Sequence, residues 1–362
     1  MSLKREWPLL ASVGTAAAFF VFRTELLGDI DSAWWAAFAF AWLFGIILWS
    51  AFAVVRHSEC LALLLGEPAG TLVLTLSVIA IEVLMISAVM LTGPPVSALA
   101  RDAMYSVIMI VCNGLVGLAL LAGGLRYHEQ TYNLQGANAY LAVIVPLAVL
   151  GLVLPNFTES SKGPTLSTLH EGFLVFISIA LYAVFLAIQT QRHRQYFLPA
   201  DEVIDVHAGL EPRSALYHAF FLVAYIVPIV LLSKQIAVPI EFGVQGFGAP
   251  AALVGFAVAA LVLAPESLAA VRAARADQLQ RSINLLLGSV LASISLTIPA
   301  VLAIAFLTDR VVVLGLNPID TVMVVLTLGL SMLTFASGRS NVLLGAVHLV
   351  LFLAYLVLIF ER

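Results

Sequence analysis

Two glutamates, Glu82 and Glu266, each lie inside a long apolar stretch of the chain. The segment Leu72–Leu91 is long enough to cross a bilayer, and Glu82 near its centre is its only charge. The segment 252–271, ALVGFAVAALVLAPESLAAV, carries Glu266 directly after Pro265. A charged side chain at a bilayer centre costs about 2.5–3.5 kcal/mol on insertion scales, so such residues usually serve a function. Two carboxylates brought together there would form a hard-oxygen site for a cation or for protons.

The apolar segment that follows each glutamate carries a stripe of small and polar residues. The first stripe has spacings of seven, four and seven, which is one helical face, and it comprises Ser106, Asn113, Gly117 and Gly124. The second stripe comprises Ser282, Ser289, Ser293 and Thr297. Such stripes complete a coordination shell or line a water path, but small residues on one face are also how membrane helices pack. Both interpretations stay open at this point.

Other titratable residues are weaker candidates. Glu67 lies where the third apolar segment begins, which is an interfacial position. Pro265 would free a backbone carbonyl and break its helix, as in the discontinuous helices of transporters. His348 is a lone histidine in the last apolar segment and is expected to serve packing. The long polar loop could sense a cation or pH, although a solvated linker is the simpler interpretation of its residues, His193, Asp201, Glu202, Asp205, His207 and Glu211.

Composition places the chain among polytopic membrane proteins. Of 362 residues, 62% are hydrophobic and 10% charged, and the mean hydropathy is +1.06, whereas soluble domains carry about 25% charged residues. Only two cysteines are present, Cys60 and Cys112, and the second lies in an apolar segment, so a disulfide framework is not expected. The sequence contains no P-loop, so ATP-driven transport is not indicated.

Apolar runs separated by short polar breaks predict an all-α polytopic membrane protein with about eleven transmembrane helices. The runs are roughly 8–22, 33–55, 70–92, 103–125, 139–155, 167–190, 215–233, 249–271, 282–307, 319–337 and 341–360. Lys4 and Arg5 precede the first run. We expect a retained helix there rather than a signal peptide, because no small-residue cleavage site leads into a polar region.

The loops predict how these helices are arranged. With the N-terminus inside, eleven lysines and arginines face the cytoplasm and six face the other side, which favours that orientation. One helix plus two five-helix repeats accounts for the number, and the repeats are inverted because an odd unit flips its successor. The predicted domains are 1–31 (first helix and connection), 32–190 (first inverted repeat), 191–214 (cytoplasmic loop) and 215–362 (second inverted repeat). Glu82 and Glu266 then hold matching positions in the second helix of each repeat.

Several long blocks resemble the bacterial ChaA-type sodium (potassium)/proton and calcium/proton antiporters of the calcium/cation antiporter superfamily, near the CAX exchangers. The blocks include GEPAGTLVLTLSVIAIEV, RDAMYSVIMIVCNGLVG and SGRSNVLLGAVHLVLFLAYL, and the resemblance covers nearly everything from Gly66 onward. It implies one helix plus two inverted five-helix repeats, with Glu82 and Glu266 carrying the ion site. It also implies further site residues in the helices that follow, which are Asn113, Ser289 and Ser293.

The sequence departs from the wider CAX pattern. The glycine-asparagine-alanine before each acidic residue is replaced by VIAI and LAP, and Leu344 stands where the last helix would carry a glutamate. With fewer carboxamides at the site, calcium selectivity is less expected.

These observations predict a secondary active antiporter, not an enzyme, that exchanges Ca2+, Na+ or K+ for protons by alternating access. Glu82 and Glu266 would be the metal ligands, and the secondary candidates are Ser106, Pro265, Thr297 and Glu67. The implied partners are inorganic cations, protons and the bilayer, with no nucleic acid, cofactor or obligatory protein partner. The expected location is the bacterial inner membrane, with the N-terminus cytoplasmic and the C-terminus outside.

Two alternatives remain from other classes. In a cation channel the same acids would form a permeation ring. An intramembrane hydrolase would use the acids or a serine such as Ser293, but it lacks a convincing base, since His348 belongs to no motif.

Overall fold

The computed structural model describes residues 6–28, 30, 32–66, 69–92, 98–159, 163–198, 213–247, 250, 252–308 and 311–361. These residues form eleven apolar helical segments. They are α1 (Trp7–Val21), α2 (Ala33–Leu65), α3 (Ala69–Thr92), α4 (Leu99–Tyr127), α5 (Leu134–Asn156), α6 (Thr168–Arg192), α7 (Ala215–Phe247), α8 (Ala252–Arg275), α9 (Leu279–Thr308), α10 (Pro318–Thr334) and α11 (Val342–Phe360). A short antiparallel pair, β1 (Gln130–Thr131) and β2 (Arg339–Ser340), joins two interhelical turns.

Length and hydropathy make these segments membrane helices. Within the described residues, eight helices are long and apolar enough to cross a bilayer, and three shorter apolar stretches complete the set. The shorter stretches are Trp7–Val21, Leu72–Ala88 and Pro318–Thr334. The predicted all-α polytopic membrane fold with about eleven transmembrane helices is therefore confirmed.

Two helices extend ten or more residues past the ends that their apolar runs predict. Helix α2 continues past its predicted end at residue 55, through Arg56, and ends only at Gly66, which adopts a φ of +65°. Glycine is the usual residue for that left-handed position after a helix. Helix α7 runs to Phe247 rather than 233 and contains Pro228 and Pro239. An apolar run ends where polar residues begin, whereas a helix continues until a backbone feature stops it.

The described chain forms two compact units that interleave in sequence. Unit 1 comprises Met1–Val96 and His207–Pro265, and unit 2 comprises Ser97–Val206 and Glu266–Arg362. Within unit 1, α2 packs against α7 and α3, and α1 packs against α2 and α7. Within unit 2, α4 packs against α11 and α9, while α9 also packs against α5 and α6. Each unit thus draws on both predicted halves of the chain, and the repeat boundaries stay a prediction.

Close contact between α4 and α11 explains part of the first polar stripe. A Cβ added at Gly117 would lie 3.0 Å from the carbonyl oxygen of Gly345, and one added at Gly345 would lie 2.9 Å from that of Gly117. Gly124 also faces the backbone of α11. These glycines let two membrane helices approach closely, as small residues generally do. The packing interpretation therefore holds for the glycines, and Ser106 and Asn113 are left as the polar members of the stripe.

A buried carboxylate in unit 1 ties the start of α1 to α2 and α7. Glu6 is 6% exposed, and its carboxylate accepts hydrogen bonds from Arg56 Nη2 at 2.8 Å, Tyr225 Oη at 2.9 Å and Tyr217 Oη at 3.0 Å. Burial raises the pKa of Glu6, but the hydrogen bond from Tyr225 and the charge of Arg56 outweigh that effect, so the pKa lies below its usual value of 4.5. The ionised form is thus the one that this contact stabilises.

We expect Glu6→Gln to lower the free energy of unfolding at neutral pH by about 1–3 kcal/mol, because Arg56 loses a charge-assisted partner. Since the folded pKa of Glu6 is depressed, its contribution is fully present above 4.5 and is lost as the pH falls through the lower folded value. Thermal midpoints of purified protein should therefore differ at pH 7 and converge progressively below pH 4.5.

The matched control for this prediction is Glu25→Gln, which makes the same chemical change at an exposed carboxylate. Glu25 accepts its hydrogen bond from the adjacent Thr24, so the thermal midpoint should stay at the wild-type value. A Glu6→Gln variant as stable as wild type at pH 7 would show that the cluster does not stabilise the fold.

Candidate cation and proton site

Glu82 lies at the middle of α3 in unit 1. It is the only charged side chain of that helix, and it is 1% exposed. The nearby Ser77 and Ser87 donate their hydroxyl protons to the carbonyls of Val73 and Val83, one turn earlier in the same helix. Their hydroxyl groups are therefore used within the helix, as is common for serine in membrane helices. The carboxylate of Glu82 is the chemically distinctive group of α3.

Glu266 occupies α8 and begins the second part of unit 2. Its side chain is partly buried, and Pro265 immediately before it is buried. The prediction that Pro265 breaks the helix is wrong, because α8 is continuous from Ala252 to Arg275 with the proline inside it. A proline removes one backbone hydrogen bond, and a membrane helix tolerates this when surrounding groups satisfy the freed carbonyl.

Irregular backbone occurs in the next helix of each half, and π-helical stretches also follow α1, interrupt α5 and end α6. A π-helical stretch, Met109–Leu115, interrupts α4 around Asn113, and another, Ser293–Thr297, interrupts α9. Such insertions of one residue are rare and occur frequently at functional sites. Both stretches contain residues proposed from sequence, which are Asn113 in the first and Ser293 and Thr297 in the second.

Asn113 belongs to a buried polar network within unit 2. Its side chain is fully buried, and its Nδ2 donates a hydrogen bond of 2.8 Å to the hydroxyl of Thr327 on α10. Its Oδ1 lies 3.3 Å from His348 Nδ1 on α11. The network therefore joins three helices and fixes the orientation of the amide.

The partners of His348 determine which ring nitrogen carries the proton. Asn113 Oδ1 can only accept, so Nδ1 of His348 is the donor. Nε2 then accepts from the hydroxyl of Thr334, at 2.9 Å. The expectation that His348 serves packing is therefore incomplete, since this buried ring also orients a candidate ligand. Sequence reasoning missed Thr327, although it shares one helical face with Asp320, Ser331 and Thr334 at spacings of seven, four and three.

The serine stripe of α9 is largely buried. Ser293 is 2% exposed, Thr297 is fully buried and Ser289 is partly buried. The backbone N–H of Ser293 bonds to the carbonyl of Ser289 at the start of the π-helical stretch. Ser295, which the sequence pattern did not single out, is fully buried, and its hydroxyl has no hydrogen-bond partner among the described residues. Together these residues supply several hydroxyl oxygens around one distorted turn.

Ser106 is engaged near the start of α4. Its hydroxyl donates to the carbonyl of Asp102 at 2.7 Å and lies 2.8 Å from the hydroxyl of Tyr355 on α11. Ser106 thus connects α4 to α11, and Asn113 makes a second connection between the same two helices from within the π-helical stretch. A structural contact already accounts for this secondary candidate.

Two further buried acids of unit 2 were not singled out by sequence, and both have local structural roles. Asp102 forms an ion pair of 2.8 Å with Arg101. Asp320 lies in the first turn of α10, where its carboxylate accepts from Asn317 Nδ2 at 2.7 Å. A helix N-terminus also stabilises a negative charge.

Some predicted residues lie outside the described part of the chain. These are Glu67 and the central loop positions Asp201, Glu202, Asp205, His207 and Glu211. Within the described residues, no group of three or more histidine, cysteine, aspartate and glutamate side chains could hold a metal ion. A metal ion held by the described residues would therefore need hydroxyl, amide or carbonyl oxygens in its shell.

The chain is similar to known cation exchangers. Residues 35–191 and 217–361 match the sodium/calcium exchanger protein family. The sodium-potassium/proton antiporter ChaA of Escherichia coli K12 is 43% identical over 319 residues, which are 87% of this chain and 86% of ChaA. This confirms the resemblance to ChaA-type antiporters.

Two solved structures share the fold. Native YfkE has a TM-score of 0.75 at 18% identity and covers 98% of this chain and 100% of its own. The H+/Ca2+ exchanger CAX has a TM-score of 0.70 at 15% identity and covers 98% of this chain and 89% of its own. At these identities the structures establish the membrane-exchanger fold alone, while the family match and ChaA establish the kinship. The chain therefore belongs to the sodium/calcium exchanger protein family and is a membrane transporter rather than an enzyme.

Proposed function

We propose that this transporter is a secondary active antiporter that exchanges a cation for protons by alternating access, with Glu82 and Glu266 as the shared binding groups. The observation that carries the proposal is Glu82, an acid that is 1% exposed and is the only charge of a membrane helix. An acid retained at that cost needs a counter-ion or a proton. A cation and protons competing for the same oxygens would couple their opposite movements.

The correspondence between the two halves supports the pairing of the glutamates. Helices α2 and α7 have 33 residues each, and α3 and α8, which carry the glutamates, have 24 each. The next helix of each half holds a π-helical stretch. The family match also divides into 35–191 and 217–361, close to the predicted repeats. Inverted repeats of this kind bind their substrate at the midplane, between the repeats.

Neutral oxygens would complete the cation shell in this proposal. Asn113 Oδ1 accepts one hydrogen bond from His348 and keeps a second lone pair for a cation. Ser289, Ser293 and Ser295 offer hydroxyl oxygens from α9. The two carboxylates would titrate as a coupled pair, because each proton or cation bound at one changes the charge seen by the other.

Na+ and K+ are the first cations to test. ChaA, at 43% identity, is a sodium-potassium/proton antiporter, and this chain lacks the carboxamides expected beside the glutamates for calcium selectivity. Ca2+ remains within the proposal, since two carboxylates and several hydroxyl oxygens also suit that ion.

The test uses everted membrane vesicles from cells that lack endogenous cation/proton antiporters. Respiration acidifies the vesicle lumen, and a fluorescent pH indicator reports the gradient while Na+, K+ or Ca2+ is added in turn. We expect at least one cation to dissipate the gradient in vesicles that contain the protein and not in empty ones. Cation movement that continues unchanged without any proton movement would identify a channel, and no response to any of the three would overturn the proposal.

We also propose the inner membrane as the location, with the N-terminus cytoplasmic and the C-terminus outside. The charge bias of the loops supports this orientation. Reporter fusions at residue 1 and after Arg362 should give signals from opposite sides of the membrane. Signals from the same side would contradict an odd number of crossings and, with it, the inverted repeats.

A further inference from the structure

A groove between α1 and α7, both in unit 1, has a basic end. A cavity of about 540 Å3 lies there, and Arg23, Lys234 and Gln235 form its polar wall. Arg23 follows the end of α1 by two residues, and Lys234 lies within the membrane-spanning part of α7, Ala215–Ile240. Basic residues at such positions extend their charged groups toward the membrane surface.

The other end of the groove is apolar. A second cavity of about 390 Å3 adjoins the first and shares Ala16, Phe20 and Leu231 with it. Val227 and Pro228 of α7 form its far wall. The two cavities together offer a polar recess at one end and an apolar channel leading away from it, which is the shape and polarity of a lipid.

Among the described residues, no acidic side chain forms an ion pair with either positive charge of the groove. Arg23 and Lys234 are both exposed. The neighbouring Glu25 instead accepts a hydrogen bond from Thr24. Cations at a membrane boundary attract anionic head groups, and a guanidinium group matches the geometry of a phosphate.

Gln235 indicates a second chemical group that the bound molecule must contain, besides its negative charge. Its side chain is 8% exposed, and its Oε1 has no hydrogen-bond partner among the described residues. A buried carbonyl oxygen needs a donor, which a phosphate ester cannot provide but a head-group hydroxyl can. The chemistry of the groove thus calls for negative charge, a hydroxyl group and an acyl chain in one molecule.

We propose that the groove between α1 and α7 binds one anionic phospholipid with a hydroxylated head group, of the phosphatidylglycerol class. Arg23 and Lys234 hold the phosphate, the head-group hydroxyl donates to Gln235, and an acyl chain lies along Val227 and Pro228. The site is separate from the transport proposal and needs no ion exchange.

Native mass spectrometry of the delipidated full chain in detergent tests the proposal. The probes are phosphatidylglycerol, phosphatidylcholine with the same acyl chains, phosphatidylmethanol and inorganic phosphate. We expect phosphatidylglycerol to bind at least about tenfold more tightly than phosphatidylcholine. The Arg23→Gln/Lys234→Gln variant should lose that preference, and Gln235→Leu should weaken phosphatidylglycerol while leaving phosphatidylmethanol unchanged.

The matched control is Arg272→Gln/Arg275→Gln, which removes the same charge from the end of α8 and should bind phosphatidylglycerol like wild type. Equal phosphatidylglycerol binding by the wild type and by Arg23→Gln/Lys234→Gln would overturn the proposal. Equal affinity for both lipids would overturn it as well. Inorganic phosphate that binds as tightly as the lipid would show a phosphate site instead of a lipid site.

Discussion

Glu82→Gln is expected to abolish coupled cation/proton exchange in protein that still inserts and folds. Glutamine keeps the shape of the side chain but removes the charge that attracts the cation and the acid that exchanges protons. Two unit charges 4 Å apart attract by about 4 kcal/mol at an effective dielectric constant of 20, which corresponds to about 1,000-fold in affinity. The measurement is cation-dependent dissipation of the proton gradient in everted vesicles, normalised to inserted protein.

Ser87→Ala is the matched control for that variant. Ser87 lies on α3 with Glu82, is 8% exposed and uses its hydroxyl within the helix. It should transport at the wild-type rate. Removing the buried carboxylate should leave the thermal stability of Glu82→Gln unchanged or higher, since its desolvation cost disappears. If Glu82→Gln still couples cation export to proton entry near the wild-type rate, the carboxylate of Glu82 is not required for transport.

Glu266→Gln is expected to cause a loss of the same size, because the proposal gives the two glutamates one cation. The double variant should be no worse than either single one, since groups that act as a unit are not additive. Exchange in the single glutamine variants will be near background, so the coupling is better measured with Glu82→Asp, Glu266→Asp and their combination. These keep the charge and shorten the side chain.

A second control isolates the role of position from that of charge. Asp277 lies just beyond the end of α8, where its carboxylate accepts a hydrogen bond of 2.8 Å from Gln130. Asp277→Asn makes the same carboxylate-to-amide change, and asparagine tolerates the φ of +60° found there. Exchange should stay at the wild-type level. Aspartate variants whose effects simply add would show two independent acids instead of one shared site.

Local sequence patterns predicted much of the architecture. The apolar runs marked all eleven helical segments, because burial of a helix in hydrocarbon depends on the composition of that segment alone. They misplaced the ends of α2 and α7, since the helical hydrogen bonds continue through polar residues until a feature such as Gly66 stops them. The prediction that Pro265 breaks its helix was wrong for a related reason. Whether a helix breaks at a proline depends on the groups around it, which the local sequence does not show.

For the candidate site too, the sequence predicted some features and only the tertiary structure showed the others. The sequence by itself determined that Glu82 and Glu266 stand in membrane segments, which is a property of their immediate neighbours along the chain. Only the tertiary structure showed that Asn113 contacts Thr327 and His348, because Asn113 is 214 positions from Thr327 and 235 positions from His348 in the sequence.

The stripe of α4 shows the same limit. Helical periodicity placed its residues on one face of α4. The contacts with α11 showed that the glycines allow close packing, whereas Ser106 and Asn113 form hydrogen bonds. Periodicity and hydropathy are local quantities and can be read from one segment. Which polar side chains become partners depends on which helices lie side by side, and that is set by the packing of the whole unit.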